Sequence, residues 1–420
     1  MKKFPIIFLL AFLLLCAASC EKAPIPTETL PVETEERPAG SAPVSALPKP
    51  DEHTFQALGS DRLDLFFPCS AHDLLTTQKD KSISDFENTC KVYEQAGYAL
   101  YSSSDFGGTV AKTYVKDSAL AHLYYHPSVK ELNVVVSDNL GEGLPPVSSS
   151  EAEGSGECTV IQLNQMNHGS GGMGYVIRLK DGSFLIYDGG LAPSADEILE
   201  ILKEYCPEGT PRVRAWILTH FHNDHYEAFF ELARRIRKEP LFTVEYVIAS
   251  PIVEGYQDFL ASFSRAFYAF EGARFIFAHT GMKFTFGDLV LEFLYTPESL
   301  YKTGIPVENF NNTSMLTRLR SGDFSMLFTG DLALEGASLC ETLYGDTLAS
   351  DWCQMSHHGL EDCPLSFYER VKASVYWVPT TPAVYAEERN LALRRAVEAL
   401  PTTKEILVAG ETRYAREFGS

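Results

Sequence analysis

The chain has 420 residues, of which 45% are hydrophobic and 22% charged, and this composition excludes an intrinsically disordered protein. Its formal net charge of -21 disfavours general binding to the phosphate backbone of nucleic acids, although a locally basic groove could still bind it. The length is enough for two domains and a large buried core.

Residues 1–52 indicate a targeting segment followed by a tether. Lys2 and Lys3 precede an apolar stretch that is too short for a membrane-spanning helix, as in a secretory signal. The small residues before Cys20 resemble the lipobox of bacterial lipoproteins. We therefore expect export, removal of residues 1–19 and lipidation of Cys20 at the bacterial cell surface, with membrane contact through that lipid only. Plain secretion is the alternative. Residues 20–52 are rich in Pro and Glu without apolar periodicity, which predicts an extended tether.

Residues 53–146 predict a small α+β domain. Apolar residues with helical spacing run from Ser84 to Ala96, and Ser84 is the expected N-cap. No pattern in this domain points to a chemistry, so its role stays open. Residues 139–157 are rich in Gly, Pro, Ser and Glu and predict a linker. Turn residues separate four strand-like runs after the helix, at 98–101, 109–115, 119–125 and 131–136.

Residues 158–420 predict a larger domain in which strands alternate with helices. One early strand ends in Asp188-Gly189-Gly190, and a later one ends in Gly330-Asp331. A further short strand precedes the pair His357-His358. A strand that ends in a loop of polar residues can aim several of them into one pocket. The residues at these strand ends are therefore the candidates for a functional site.

The run from His220 to His225 is the most informative part of the chain, because it has the pattern H-x-H-x-D-H directly after the apolar run 213–218. Side chains alternate along an extended segment, so His220 and His222 can face one metal position. Asp224 and His225 fall where a helix is expected to begin and can face a second position. Imidazole and carboxylate ligands together suit Zn²⁺, Mn²⁺ or Fe²⁺. A chance cluster of surface histidines is disfavoured, since five of the 11 histidines lie in this motif and in the His357-His358 pair.

In this order the four motifs resemble those of the metallo-β-lactamase superfamily, over essentially all of residues 158–420. The resemblance implies an αβ/βα sandwich of two sheets, with the site at one edge between them, preceded here by the small α+β domain. A narrower resemblance is to the extracellular hydrolase domain of ComEC competence proteins and to cell-surface phosphorylcholine esterases. Three stretches carry it, namely Asn311-Asn312-Thr313-Ser314, the strand 326–328 with Thr329-Gly330-Asp331, and Ser356-His357-His358-Gly359.

The superfamily resemblance also implies a role for each residue of the motifs. His220 and His222 would hold one metal ion, and Asp224 would hold the other together with His225. Asp331 would bridge both ions, and we favour His358 over His357 as the last ligand of the second site. The histidine of that pair that is not a ligand, here His357, would protonate the leaving group or hold a substrate oxygen. Asp188 would orient a ligand or water. The residues expected to carry catalysis are Asp224 and His357.

One departure from the family pattern leaves the number of metal ions open. Many members place a third metal-binding histidine after a strand in the middle of the domain, but the stretch 294–299 has none, and His279 is expected to be an ordinary turn residue. His168 could overhang the pocket, and Asn311 or Asn312 could supply an oxygen there. The predicted cofactor is therefore one or two divalent metals, with Zn²⁺ first and Mn²⁺ as the alternative.

The sequence is compatible with three functions. The first is a surface metallohydrolase in which a metal-activated hydroxide cleaves a phosphodiester in a small molecule or an envelope polymer. Nucleic acid ranks lower as a substrate because of the chain's acidity. The second is a metallohydrolase of a lactam, lactone or thioester. The third is a non-catalytic lipoprotein that binds an envelope partner. The complete set of motifs and its open coordination positions argue against the third, because structural zinc sites are closed.

Overall fold

The computed structural model describes residues 54–55, 74–137, 143–146, 158–164, 172–250, 257–302, 309–388, 391–410 and 413–418. The predicted signal, the predicted lipidation site Cys20, the predicted tether and His168 lie outside these described residues. Within them, no helix combines the length and the apolar character that crossing a membrane requires.

The N-terminal part of the described chain is an antiparallel sheet with one helix packed on it. Helix α1 spans Ile83–Gln95 and buries Phe86, Cys90 and Tyr93. Its N-cap is Ser82 and not the predicted Ser84, because Ser82 and Asp85 exchange hydrogen bonds in a capping box. The four predicted strands are present, and two earlier ones join them. In sheet order β1-β2-β6-β5-β4-β3, the strands are β1 (Thr54–Phe55), β2 (Leu74–Gln78), β6 (Glu131–Ser137), β5 (Ala119–His126), β4 (Val110–Lys116) and β3 (Ala99–Asp105).

A seven-stranded sheet follows, in the order β12-β11-β10-β9-β8-β7-β20. Its strands from β9 to β12 run parallel, as expected for strands joined through helices. The strands are β7 (Cys158–Gln162), β8 (Gly174–Arg178), β9 (Phe184–Asp188), β10 (Arg212–Leu218), β11 (Thr243–Ala249), β12 (Arg274–Phe277) and β20 (Tyr414–Phe418). The helices connecting them are α2 (Ser194–Tyr205), α3 (Asn223–Ile236) and α4 (Gln257–Phe267).

A second seven-stranded sheet has its strands in sequence order. They are β13 (Lys283–Phe286), β14 (Leu289–Tyr295), β15 (Leu316–Ser321), β16 (Phe324–Phe328), β17 (Trp352–Gln354), β18 (Val375–Val378) and β19 (Glu405–Val408). The helices of this half are α5 (Glu298–Tyr301), α6 (Leu334–Tyr344), α7 (Leu365–Val371), α8 (Pro382–Tyr385) and α9 (Leu391–Glu398). Short 3-10 turns cover Phe310–Thr313, Gly345–Leu348 and Ser356–Gly359.

The two seven-stranded sheets pack face to face. Tyr187 of β9 stacks on Phe328 of β16 with ring centroids 3.9 Å apart, and Tyr175 of β8 meets the same ring edge-on at 5.3 Å. Buried residues of α2, α3 and α4 cover the outer face of the first sheet, and those of α6, α7 and α9 cover the second. This arrangement confirms the predicted αβ/βα sandwich. It places the apolar faces of both sheets and of the helices in contact.

The N-terminal sheet packs on the sandwich through buried polar contacts. His122 of β5 bonds through Nε2 to the carbonyl oxygen of Thr280 at 2.9 Å. Lys302, which follows α5, forms an ion pair with Glu131 of β6, and only 5% of the lysine side chain is exposed. Because these contacts are largely shielded from water, they determine the orientation in which the N-terminal sheet packs on the sandwich. The predicted domain limits, 53–146 and 158–420, stay predictions.

Candidate metal centre

The four motifs follow the carboxyl ends of two pairs of neighbouring parallel strands. Strands β9 and β10 are parallel neighbours in the first sheet, and they lead to Asp188 and to His220. Strands β16 and β17 are parallel neighbours in the second sheet, and they lead to Asp331 and to the His357-His358 pair. Parallel neighbours end at the same edge, which brings each pair of motifs together. The two pairs meet at one edge of the sandwich.

Asp188 orients His225 from behind the cluster. Its carboxylate is fully buried and accepts hydrogen bonds from the backbone N–H of Thr219 at 2.7 Å, from the Thr219 hydroxyl at 2.7 Å and from Nδ1 of His225 at 2.8 Å. Burial raises the pKa of Asp188, although His225 and Thr219 oppose that shift. With Nδ1 engaged, the Nε2 atom of His225 faces the cluster. Asp188 thus has the orienting contact that the family resemblance implied.

Asp331 is the centre of the cluster. Its Oδ2 atom lies within 3.2 to 3.9 Å of four imidazole Nε2 atoms, while Oδ1 is buried and has no hydrogen-bond partner among the described residues. A buried carboxylate oxygen without a partner is costly unless a cation or a donor meets it. The four distances to Oδ2 are 3.2 Å from His225, 3.6 Å from His358, 3.7 Å from His220 and 3.9 Å from His357.

Two groups of side chains bring their ligand atoms within 4.8 Å of one another, and both include His225. One group is His220, His225 and Asp331, and the other is Asp224, His225 and His358. In the second group Oδ2 of Asp224 lies 3.0 Å from Nε2 of His358. The Nδ1 atom of His358 is held by the carbonyl oxygen of Pro379 at 2.9 Å, which turns Nε2 inward. The structure therefore places His358, rather than His357, against Asp224.

His222 lies at the rim of the first group. Its Nδ1 atom is 3.0 Å from Nε2 of His220, so both nitrogens point into the same space. His222 has an extended backbone and is the N-cap residue of α3. His220 therefore precedes the helix, whereas Asp224 lies in its first turn. The ring of Phe310 lies 4.9 Å from the His222 ring. His222 is thus close enough to His220 to share a metal ion with it.

His357 faces the cluster without joining either group. Its Nε2 atom lies 3.9 Å from Oδ2 of Asp331, and its Nδ1 atom lies 2.6 Å from Oδ2 of Asp362. Both His357 and His358 adopt left-handed backbone conformations, with φ of 46° and 56°. Sequence reasoning missed Asp362. An acidic residue in a loop carries no signal of its own, and only the turn at the two histidines brings it back to His357.

The two asparagines have different positions. Asn311 is buried with its Nδ2 atom 3.3 Å from both ring nitrogens of His357, and its Oδ1 atom has no hydrogen-bond partner in the described part of the chain. Asn312 instead accepts hydrogen bonds from the backbone N–H groups of Ala333 at 3.2 Å and Gly336 at 2.9 Å, at the start of α6. Its amide oxygen is therefore used within the fold. Of the predicted pair, only Asn311 faces the cluster.

His279 does not replace the missing third histidine. It is buried, and its Nδ1 atom lies 2.7 Å from Oε2 of Glu298, a buried residue of the stretch 294–299. Burial alone would raise the pKa of Glu298, but His279 and the N–H of Thr280 lower it overall. This contact ties His279 to the first turn of α5, so His279 is a buried, hydrogen-bonded residue and not the ordinary turn residue that the sequence led us to expect.

The donor set fits divalent metal ions. Burial by itself lowers the pKa of His225, but the carboxylate of Asp331 and then that of Asp188 raise it well above its ordinary value. The same carboxylates would favour a metal ion over a proton on Nε2. Imidazole and carboxylate donors in one buried cluster are the set that Zn²⁺ and Mn²⁺ accept. His222 and Asp224 are half-buried, so the cluster is accessible from their side.

Fold and donor set together define a metal-binding αβ/βα sandwich. A family model described as the metallo-beta-lactamase superfamily matches residues 170–363, which include every motif from Asp188 to His358. The matched part of the chain is thus a metallo-β-lactamase superfamily domain with the metallo-β-lactamase fold. No curated protein matches the sequence.

Solved structures of similar fold differ widely in sequence and in chemistry. The metallo-beta-lactamase fold protein YhfI from Bacillus subtilis is 14% identical over 62% of this chain and 99% of its own, with a TM-score of 0.41. A diphosphatase from the PhnP family is 12% identical over 62% and 98%, with a TM-score of 0.36. CmlA, a diiron beta-hydroxylase from Streptomyces venezuelae, is 13% identical over 61% and 54%, with a TM-score of 0.38. Likenesses at this level carry no information on the activity of this chain.

Proposed function

We propose that this protein is a metal-dependent hydrolase that cleaves phosphodiester bonds. The observation that carries the proposal is the convergence of four imidazole Nε2 atoms on Asp331, whose second oxygen is buried and has no hydrogen-bond partner in the described part of the chain. His220, His222 and Asp331 would hold one ion. A second ion would be held by Asp224, His225 and His358, with Asp331 shared between the two. A set with open positions supports catalysis rather than a closed structural site.

A divalent ion bound there would lower the pKa of a water molecule to near neutrality and would neutralise charge that develops on phosphoryl oxygens. The protein's own residues supply the remaining parts of the reaction. Asp188 keeps Nε2 of His225 turned inward, and the carbonyl of Pro379 does the same for His358. His357 is not part of either ligand group and is 22% exposed, so it can meet a substrate oxygen.

The substrate that we propose is a small or polymer-linked phosphodiester rather than nucleic acid. The chain carries a net charge of -21. Two arginines of the basic run that follows the metal motif are engaged in the protein's own contacts. Arg234 pairs with Glu231 at 2.6 Å, and Arg235 pairs with Asp196 at 2.5 Å and with Glu231 at 2.6 Å. These arginines therefore offer little to the counterion release that drives nucleic-acid binding.

We also propose that the protein acts outside the cytoplasm, anchored by a lipid on Cys20, and that its hydrolase domain is of the ComEC type. The support comes from the lipobox-like residues before Cys20 and from the three stretches that resemble the ComEC group. Substituting Cys20→Ala and following membrane association by fractionation tests the anchor. A Cys20→Ala protein that stays with the membrane would contradict it.

The activity is tested by hydrolysis of bis-p-nitrophenyl phosphate by the purified chain with added Zn²⁺ or Mn²⁺. Turnover should require metal and disappear in Asp224→Ala, because that change removes one ligand of the second group. Metal analysis of both proteins reports how many ions are bound. A folded, metal-loaded protein without turnover would contradict the proposal. Assays on a lactam, a lactone and a thioester would then separate the other hydrolases from a non-catalytic binding protein.

A further inference from the structure

An imidazole–carboxylate pair borders the metal centre and is not needed to hold metal. Nδ1 of His357 and Oδ2 of Asp362 are 2.6 Å apart, with 22% and 40% of their side chains exposed. Asp362 belongs to neither of the two ligand groups found among the described residues. Its hydrogen bond with His357 holds the pKa of the Asp362 carboxyl below its usual range, so the carboxylate is charged. The pair is thus a charged contact at the open side of the cluster.

The pair repeats a pattern found at two other histidines. Each of His225, His357 and His358 faces Asp331 through Nε2 and has its Nδ1 atom held by an oxygen. For His225 and His358 this arrangement presents Nε2 to a metal ion. His357 has the same orientation but lies in neither ligand group and is more exposed. The oxygens that hold Nδ1 come from Asp188, Asp362 and Pro379.

The backbone around His357 adds to this orientation. His357 has a left-handed conformation, with φ of 46°, and its N–H donates to the carbonyl oxygen of Gly330 at 3.2 Å. Such a conformation is unfavourable for a non-glycine residue and persists only where surrounding contacts enforce it. The Nδ2 atom of Asn311 is equidistant from both ring nitrogens, at 3.3 Å, so the amide lies over the ring. The ring is therefore held from its backbone, its face and its Nδ1 edge.

We propose that Asp362 is a positioning residue that holds His357 with Nε2 towards the substrate, so that His357 protonates the leaving oxygen of the phosphodiester. This inference rests on the proposed phosphodiesterase function. A bond forms between phosphorus and the oxygen of the attacking water, which releases a proton to solvent. The bond from phosphorus to the leaving oxygen breaks with its electron pair, and that oxygen takes the proton from Nε2. His357 then regains a proton from solvent.

A purely structural role for Asp362 would have a different signature. If Asp362 only stabilised the turn, its loss would slow the reaction of every phosphodiester by a similar factor. Loss of a residue that supports proton donation should slow the reaction most when the leaving group is unstable as an anion and needs a proton. It should have little effect with nitrophenolate, which leaves without a proton. The ratio of the two effects therefore distinguishes positioning from general stabilisation.

The experiment compares the metal-loaded full chain with Asp362→Asn and His357→Gln. The substrates are methyl 4-nitrophenyl phosphate and methyl phenyl phosphate. General acid catalysis contributes roughly 10²- to 10⁴-fold, so His357→Gln should lose about that much kcat on the phenyl diester. We expect Asp362→Asn to lose about 10- to 100-fold there, by analogy with residues that orient a functional histidine. Both variants should stay within about threefold of the wild type on the nitrophenyl diester.

A matched control is Glu361→Gln, which removes the same charge at the exposed neighbouring residue. It should leave both rates unchanged. Equal losses on the two diesters in Asp362→Asn, or loss of bound metal in that variant, would overturn the positioning role while leaving the phosphodiesterase standing. A wild-type chain that hydrolyses neither diester would overturn the proposed function itself, and the role of Asp362 with it.

Discussion

Replacing Asp188 with asparagine tests whether the carboxylate behind His225 controls metal affinity. The two carboxylate oxygens accept three hydrogen bonds, two from Thr219 and one from Nδ1 of His225. A carboxamide has one oxygen and one NH₂ group, so at least one of these donors would face another donor. Whichever way the amide turns, the His225 ring loses its contact with a charged carboxylate, which is the contact that keeps its Nε2 turned inward. Because His225 is a ligand of the second ion in the proposed set, together with Asp224 and His358, metal binding at that position should weaken.

The size of the effect follows from the contacts. Loss of a residue that orients a metal-binding histidine typically lowers metal affinity about 10- to 100-fold. At about 1.4 kcal/mol for each factor of ten, this is roughly 1.4–2.8 kcal/mol of binding free energy. Asp188→Asn also loses a hydrogen bond to a charged, fully buried acceptor, which should lower the free energy of unfolding of the metal-free protein by about 1.5–3 kcal/mol.

Competition with a chromophoric chelator measures Zn²⁺ affinity, and circular dichroism with chelator present measures the stability of the metal-free protein. Asp181→Asn is the matched control, because Asp181 accepts a hydrogen bond from the N–H of Ser183 at 2.9 Å in the turn at the opposite end of β9. The control should keep the wild-type affinity. A folded Asp188→Asn protein whose Zn²⁺ affinity lies within twofold of the wild type would refute the orienting role of Asp188.

Three further changes test the surroundings of the site and the fold. A Cβ at Gly330 (φ +54°) would lie 2.8 Å from Oγ1 of Thr219, so Gly330→Ala should cost about 2–4 kcal/mol in urea unfolding. Gly209→Ala (φ +83°), with open space around it, should cost only about 1–2 kcal/mol, and equal losses would contradict the steric reason. Burial raises the pKa of Glu197 from 4.5 to about 7, so the folded state binds its proton more tightly and stability is lost as pH rises through that range. Glu197→Gln should therefore stabilise the protein by at most about 3 kcal/mol at pH 8 and should not stabilise it at pH 4. Thermal melts that show the same gain in stability at both pH values would contradict the raised pKa of Glu197. Lys302→Met should cost about 3 kcal/mol in chemical unfolding by leaving the charge of Glu131, which is 12% exposed, without its partner, and adding Glu131→Gln should recover most of that loss if the ion pair is the cause.

The small N-terminal sheet shows how far local patterns extend. Its helix and last four strands follow from apolar spacing and turn residues, because each has a clear local period. The N-cap was placed two residues too late, since both Ser82 and Ser84 precede the helix and the capping box depends on the reach of Asp85 to Ser82. The packing of this sheet on the sandwich involves the contact between Lys302 and Glu131, which lie far apart in the sequence. Local sequence patterns cannot predict such a contact.

At the metal centre, the residue types that follow each strand can be predicted from the sequence alone. The H-x-H-x-D-H motif, Asp331 and the His357-His358 pair are visible because each follows an apolar run with strand character. These features were enough to predict the sandwich fold and a candidate ligand set. The absence of a third histidine in 294–299 was also visible in the sequence alone.

Which atoms of these residues face each other depends on the tertiary structure. His357 and His358 are adjacent and chemically identical, yet one ring reaches Asp362 and the other Asp224. Consecutive left-handed backbone conformations at the two residues separate the rings in this way. The direction of an imidazole depends on backbone angles and on an oxygen such as that of Pro379, far away in sequence. The spacing of residues in the sequence determines neither the backbone angles nor the position of such an oxygen. The contact between His357 and Asp362 therefore could not be predicted from the sequence.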